Sequence, residues 1–409
     1  MKGVIMAGGV GTRLRPLTCS VPKPMIPLMN RPIMEHILNL LKKHQINEVC
    51  ATLQYLPETI KNHFQDGTDF NVNLKYYIEE TPLGTAGSVK NAQEFLDETF
   101  IVISGDVLCD MDLTEAIKFH KEKKAIATLV LTREEIPLEY GVVVTSDTGE
   151  IIRFLEKPSW AEVFSDTINT GIYILEPEVL DYIKKDEMFD FSKDLFPLLL
   201  EDKQPMFGMI SNCYWCDIGN PEQYIQSHKD IFDKNVKGDF WSLDKKEGIW
   251  LGKDIRIGKG SKIIPPVAIG NNCIIGDNVI IEPYSVIGDN TIINDNTSLK
   301  RSIVWKNNYI GKGVESRGCI ICNKTTIKDN VSIFENAIIG DETILEPGSI
   351  IKPGIKIWPG KTIEENSTIS ENIIWGVKSS KYLFGERGVF GKTNVDITPE
   401  TAAKDFLGS

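Results

Sequence analysis

The chain has 409 residues, enough for two or three domains, and its 25% charged and 42% hydrophobic residues are the mix of an ordinary globular protein. A net charge of −12 excludes a general nucleic-acid binder, which needs a basic face, but leaves room for a local basic pocket. No run approaches the ~20 apolar residues that cross a bilayer, and eight cysteines are too few for a disulfide scaffold.

The first apolar stretch is short and ends in glycine and arginine, so no secretory leader is read, and reduced thiols in a cytoplasm are expected. Gly3–Met6 reads as a strand that breaks into a turn holding Gly8, Gly9 and Gly11, followed by Arg13 and Arg15. Glycine lets backbone approach a ligand closely, and arginine presents a fork of donors suited to phosphate oxygens. A P-loop would need a lysine that is missing here, and a dinucleotide fingerprint would need another glycine. The turn alone leaves two readings open, a phosphate-rich ligand or a tight turn with surface arginines.

Further on, Ile33–His44 places Ile33, Ile37, Leu40 and Leu41 on one helical face. Ile46–Leu53, Leu74–Ile78 and Phe100–Ser104 read as strands, and Asp112–Lys124 as a helix. Strands alternating with helices up to about residue 235 predict an α/β, Rossmann-like domain with a largely parallel sheet covered on both sides. Such sheets bind ligands beyond the carboxyl ends of their strands.

From Trp250 the pattern changes. Every sixth residue is apolar from Leu251 through Ile257, Ile263, Ile269 and onward to Leu299 and Trp305. The phase then slips and resumes at Ile321, running to Ile369. A sustained six-residue period predicts a parallel β-helix, each coil stacking its aliphatic position on the next. The slip between Trp305 and Ile321 reads as a loop projecting from that helix. Two C-x-x-C pairs, Cys213/Cys216 and Cys319/Cys322, lie in unrelated contexts and read as buried or incidental thiols rather than a zinc site.

The repeat resembles the left-handed β-helix of the hexapeptide-repeat family, many of whose members are acyltransferases with a histidine base on the helix. Here all five histidines (His36, His44, His63, His120, His228) precede the repeat, so a structural, oligomeric or regulatory β-helix is expected.

Eight ordered motifs carry a second resemblance. They are Ala7–Thr18, Val21–Leu38, Pro82–Gly87, Ser104–Asp110, Glu139–Val143, Glu156–Pro158, Asn169–Leu175 and Trp215–Tyr224. In this order they closely resemble the sugar-1-phosphate nucleotidyltransferases, nearest to those members that transfer guanylyl to mannose 1-phosphate and carry a β-helix extension. The resemblance implies attack of a sugar-phosphate oxygen on the α-phosphorus of a nucleoside triphosphate, with pyrophosphate leaving. It assigns nucleotide contacts to Ala7, Gly8, Gly9, Gly11, Thr12, Gly84, Thr85 and Gly87. Arg13, Lys23, Asp106 and Asp217 become the catalytic set, with Arg13 on the departing phosphates and both aspartates on Mg²⁺. Gly141, Glu156, Lys157, Asn169 and Gly171 become the sugar-phosphate contacts.

The same resemblance leaves alternatives: a glucose-1-phosphate enzyme using another nucleotide, or an inactive regulatory or scaffold subunit. It also divides the chain into a catalytic domain over 1–235, a linker over 236–248, and a left-handed β-helix over 249–375 through which the chain is expected to form homo-oligomers. The tail, 376–409, resembles the opening of a phosphohexomutase domain, although Glu386 and Phe390 depart from that pattern, and it reads as a truncated piece of a longer chain.

Overall fold

The computed structural model describes residues 1–238, 240, 244–246, 248–375 and 378–379. Strand β1 (Lys2–Ala7) keeps Val4 and Ile5 wholly out of water, because it runs through the middle of a nine-stranded sheet. It pairs in parallel with β2 (Glu48–Leu53), which pairs with β3 (Asn73–Ile78), and on its other side with β4 (Phe100–Ser104). Helix α1 (Ile33–Lys43) turns Ile33, Ile37, Leu40 and Leu41 inward, as its 3.6-residue spacing requires. The shorter α2 (Gly84–Asn91) also packs on β1 and β2.

The rest of the sheet departs from the parallel expectation. After β5 (Val107–Cys109) and α3 (Leu113–Lys123, capped by Asp112) come β6 (Ala127–Arg133), β7 (Gly141–Thr145), β8 (Ile151–Glu156) and β9 (Thr167–Leu175). β7 and β8 are joined by a tight turn, Ser146–Gly149, with Gly149 at φ +87°, and a hairpin so short enforces antiparallel pairing. β9 then runs antiparallel to β4, β6 and β7 together, and the sheet is mixed. β10 (Met206–Ile210) returns parallel to β6, β11 (Trp215–Asp217) pairs with β5 as a separate ribbon, and α4 (Pro221–Phe232) closes the domain.

From Ile249 the described residues wind into a left-handed β-helix of three parallel sheets with seven, eight and seven strands, the first extended by an antiparallel strand, Asp244–Lys246. Inward residues such as Ile269, Ile287, Ile321 and Ile339 are fully buried. Asparagines in the left-handed conformation, among them Asn278, Asn290 and Asn296, turn the corners; their short side chains tolerate that backbone. The phase slip is no projecting loop. Ile287 stacks on Val304, and Val304 on Ile321, each pairing one residue shorter than Ile269 on Ile287. Two coils are therefore trimmed by one residue, and Val304 rather than Trp305 takes the inward place.

The outer side of the first β-helix face is also dry. Ala268, Val286, Ile303, Ile320 and Trp305 share one apolar core with Met29, Tyr224 and Phe232 of the first domain. In the stretch read as a linker, Val236 and Phe240 are buried too. The tail read as mutase-like lies outside the described residues, apart from Lys378–Ser379, which pair with Thr362–Ile363. Among the described residues no helix is long and apolar enough to cross a membrane.

Candidate active site

Parallel strands deliver groups to one edge, and the site lies where β1 and β4 end side by side. Gly105 donates its N–H to the Met6 carbonyl at 2.8 Å, and a Cβ there would stand 2.7 Å from that same oxygen. Only glycine permits this approach, which places the next residue, Asp106, beside the end of β1. Asp217 arrives from β11, paired directly with Val107. Between them, Pro22 and Pro24 flank Lys23, which opens a single turn, Lys23–Met25, that carries it into the gap.

Lys23 is 8% exposed. Its ammonium donates to Asp106 Oδ2 and, at 3.3 Å, to Asp217 Oδ1. Burial opposes its charge, but the two carboxylates outweigh burial and hold its pKa above the ordinary value. The carboxylates themselves are driven apart. Burial works against the charge of Asp106, yet Lys23 and the 2.6 Å hydrogen bond from Ser104 Oγ hold its pKa down. Burial and then the neighbouring Asp106 charge push Asp217 up. Arg13 sits at the rim, its Nη1 on Glu139 at 2.8 Å and its Nη2 4.0 Å from Asp217.

A cavity of about 170 Å³ opens beside these carboxylates. Asp106, Asp217, Gly141, Glu156, Asn169 and Gly171 line it, so one wall collects residues from both halves of the chain. A Cβ at Gly141 would fall 2.8 Å from both Glu156 Oε2 and Phe154 Cζ, so a side chain there would displace Glu156. Gly171 takes φ +76° where β9 breaks register, and its N–H is held by Asn169 Oδ1 at 3.1 Å. The Asn169 amide donates to Tyr173 and Ser192, so it is fixed before any ligand arrives. Burial raises the pKa of Glu156 in spite of Lys157 nearby. Lys157 itself is exposed at φ 47° and does not line the cavity.

The other assigned glycines divide by what surrounds them. Gly11 sits at φ +65° against Thr18 and Lys23. A side chain at the exposed Gly9, after the buried Ala7, would meet nothing within 4 Å, so no protein contact demands glycine there. Thr12, also exposed, opens the short turn that carries Arg13. Gly84 and Gly87 are instead packed on backbone, with Cβ positions 2.7 Å from Phe189 O and 2.8 Å from Glu187 O. The Thr85 hydroxyl donates to Asp190 at 3.0 Å. That turn is thus locked to 187–190.

Of the other cleft residues, Ser104, Tyr140 and Trp215 lie in the eight motifs but were given no role, and Ser192 lies outside them; the Trp215 indole N–H donates to Thr170 O at 2.9 Å. Glu79 was also missed. Its Oε2 accepts from Leu83 N at 3.0 Å, while Oε1 stands 3.3 Å from a Cβ built on Gly8. It is a buried carboxylate joining the glycine turn to the Pro82–Gly87 turn, and burial raises its pKa. Asp110, at the end of the Ser104–Asp110 motif, accepts from Tyr214 N and Lys237 N, both at 2.8 Å.

Two hard carboxylates, screened by one ammonium and approached by an arginine, suit an ion that takes one or two carboxylates and completes its shell with water and phosphate oxygens, as magnesium does. Among the described residues no cluster of three or more His, Cys, Asp or Glu forms a cage for a softer metal.

A family profile described as nucleotidyl transferase matches residues 2–234. The chain belongs to that family. A second profile, described as the EIF2B subunit epsilon LbH domain, matches residues 246–351. Among relatives, the family member from Synechocystis named UTP–glucose-1-phosphate uridylyltransferase is 38% identical over 308 residues, 67% of this chain and 79% of its own length. The Candida albicans member named mannose-1-phosphate guanyltransferase is 37% identical over 277 residues, covering 66% and 72%. The crystal structure of HddC from Yersinia pseudotuberculosis aligns with a TM-score of 0.50 at 26% identity, over 56% of this chain and 99% of that one.

Proposed function

We propose that this nucleotidyl transferase joins a nucleoside triphosphate to a sugar 1-phosphate, releasing pyrophosphate, and that the pair is GTP and mannose 1-phosphate. The observation that carries the transfer is the Lys23–Asp106–Asp217 cluster at the strand ends beside a small polar cavity. Both substrates are anions, so positioning and charge neutralisation dominate the barrier.

In this reading the triphosphate lies along the glycine turn, where the open space at Gly9 leaves room for close backbone approach. Arg13, free to swing from Glu139, takes the departing phosphates. Lys23 neutralises the α-phosphate side while keeping the two aspartates from repelling each other. The sugar occupies the cavity, its hydroxyls bonded by Glu156 and Asn169, with Gly141 and Gly171 leaving it space. Lys157 meets the sugar phosphate only by swinging over the rim. Asp106 and Asp217 would hold Mg²⁺, which as a Lewis acid offsets the charge that develops on the phosphates.

Glu79 supports guanine. An ionised carboxylate only accepts hydrogen bonds, and guanine offers two adjacent donors, its N1–H and its amino group, where uracil offers one. The relative from Synechocystis supports the second reading, UTP with glucose 1-phosphate. An assay of pyrophosphate release pairing GTP, ATP and UTP with each sugar phosphate, with and without Mg²⁺, decides between them. Release confined to GTP with mannose 1-phosphate is expected. Release with UTP and glucose 1-phosphate replaces the substrates, and no release from any pair removes the transferase reading.

A further inference from the structure

The Pro82–Gly87 turn and the sugar-side wall of the cavity are joined by one short stretch of chain, 187–192. Its first half is tied to the turn through backbone. Phe189 N donates to Leu83 O at 2.8 Å, and Phe189 O accepts from Ala86 N and Gly87 N, both at 2.9 Å. Thr85 carries the tie two residues further with its side chain. Its hydroxyl donates to Asp190 Oδ1 at 3.0 Å and accepts from Phe191 N at 2.9 Å. The one hydrogen of that hydroxyl is therefore already committed within the protein.

The next residue faces the other substrate. Ser192 lines the cavity, and its hydroxyl accepts from Asn169 Nδ2 at 3.4 Å. A hydrogen bond from the same hydroxyl to Glu156 works against the burial that raises the pKa of that carboxyl. Phe191 supports this wall from behind. It is buried, and its ring lies 5.1 Å from that of Tyr173, whose hydroxyl also accepts from the Asn169 amide at 2.9 Å. The two residues open a single π-helical turn, Phe191–Leu195, a rare geometry that is frequent at functional sites. Phe191 is thus held from the nucleotide side and Ser192 from the sugar side, with one peptide bond between them.

We propose that Thr85 and Ser192 are positioning residues for the sugar phosphate: Ser192 aims Asn169 and Glu156 into the cavity, and Thr85, although it sits in the nucleotide turn, holds Ser192 in place. The proposal rests on the function proposed above. Backbone bonds keep the turn closed on Phe189 without the Thr85 hydroxyl. Loss of that hydroxyl leaves the turn formed and releases Phe191, so its effect falls on the sugar side. A side chain that touched the nucleotide would act on the triphosphate instead, and one that merely supported the fold would act on both substrates alike.

Initial rates of pyrophosphate release from Thr85→Val and Ser192→Ala, with the substrate pair that the assay above selects, test this. In both variants the KM for the sugar 1-phosphate should rise about three- to tenfold, the ratio one neutral hydrogen bond gives, while the KM for the triphosphate stays within about twofold. Thr85→Ser keeps the hydroxyl and should behave as the wild type. Thr85 is exposed, so the valine leaves the core intact, and Thr85→Ala repeats the test with a smaller side chain. A rise in the triphosphate KM with Thr85→Val, an unchanged sugar KM in either variant, or Thr85→Ser behaving as Thr85→Val would each overturn the proposal. No release from the wild type with any pair would show the other failure, that of the transferase reading, and would remove the proposal with it.

Discussion

The indole N–H of Trp305 donates to the hydroxyl of Tyr224 at 2.9 Å, and that hydroxyl donates to the Pro27 carbonyl at 2.5 Å. Trp305 belongs to the β-helix, Tyr224 to the helix that follows Asp217, and Pro27 to the segment that follows Lys23. Asn30 adds a parallel tie, its amide donating to Ile287 O at 2.8 Å. The β-helix therefore braces both chain segments that bring charge to the reacting centre, across one continuous apolar core.

From this brace, the two domains should unfold together. Trp305→Phe leaves a buried phenol short of a partner and opens a small void, a loss of about 1–3 kcal/mol. Chemical denaturation followed separately by tryptophan fluorescence and far-UV dichroism should give coincident transitions, both moved to lower denaturant in the variant. Separated transitions in the wild type would show that the brace carries no coupling.

Lys23→Ala removes the one cation shared by Asp106 and Asp217, leaving two carboxylates facing each other in a half-buried site. Groups that meet developing charge in such sites are worth roughly 10²–10³ in rate. The turnover number for pyrophosphate release should fall by about that factor, in protein shown by far-UV dichroism to be folded at the assay temperature, since losing the cation between two half-buried carboxylates also lowers stability. A turnover within about threefold of wild type would remove Lys23 from the reacting set.

Glu79→Gln replaces an acceptor-only carboxylate by an amide that presents one acceptor and one donor toward the base. Hydrogen bonds to charged groups are worth about 1.5–3 kcal/mol, so the preference for GTP over UTP, as a ratio of kcat/KM, should drop by about tenfold or more. An unchanged ratio would place base selection elsewhere.

These residues also show what the sequence could and could not display. The six-residue period was legible because every coil repeats one inward aliphatic position, a one-dimensional pattern. The two shortened coils were not, since deleting one corner residue looks the same in the sequence as a loop; only the stacking of Val304 on Ile287 and Ile321 separates them. Ala268, Val286 and Ile303 gave no sign of the domain contact, because outward apolar residues on a strand reveal no partner. Lys23, Asp106 and Asp217 were found through their motifs, although 83 and 194 positions separate the lysine from its two partners. Glu79 was missed because a lone acid before a turn carries no pattern. Its role follows from burial between two glycine turns, which exists only in three dimensions.

The last prediction concerns acid. His228 donates from Nδ1 to Tyr224 O at 2.9 Å and accepts at Nε2 from Met29 N at 3.3 Å, an arrangement that only the neutral ring satisfies. Burial, helped by His36, drives its pKa down to about 4. Its folded value lies below the unfolded value of about 6.5, so between the two the unfolded chain holds the extra proton. The stability that His228 contributes is therefore complete above about pH 6.5 and is lost as pH falls toward 4, on the order of 3 kcal/mol in all. Buried carboxylates with raised pKa values, Glu79 and Glu156 among them, titrate in the opposite sense. The informative quantity is thus the difference between wild type and His228→Gln, which keeps an acceptor for Met29. Denaturant unfolding at several pH values between 7 and 4.5 should show the variant less stable at pH 7, with the gap narrowing as pH drops and about one proton fewer taken up on unfolding. A gap that stays constant across that range would mean that His228 is not held neutral by the fold.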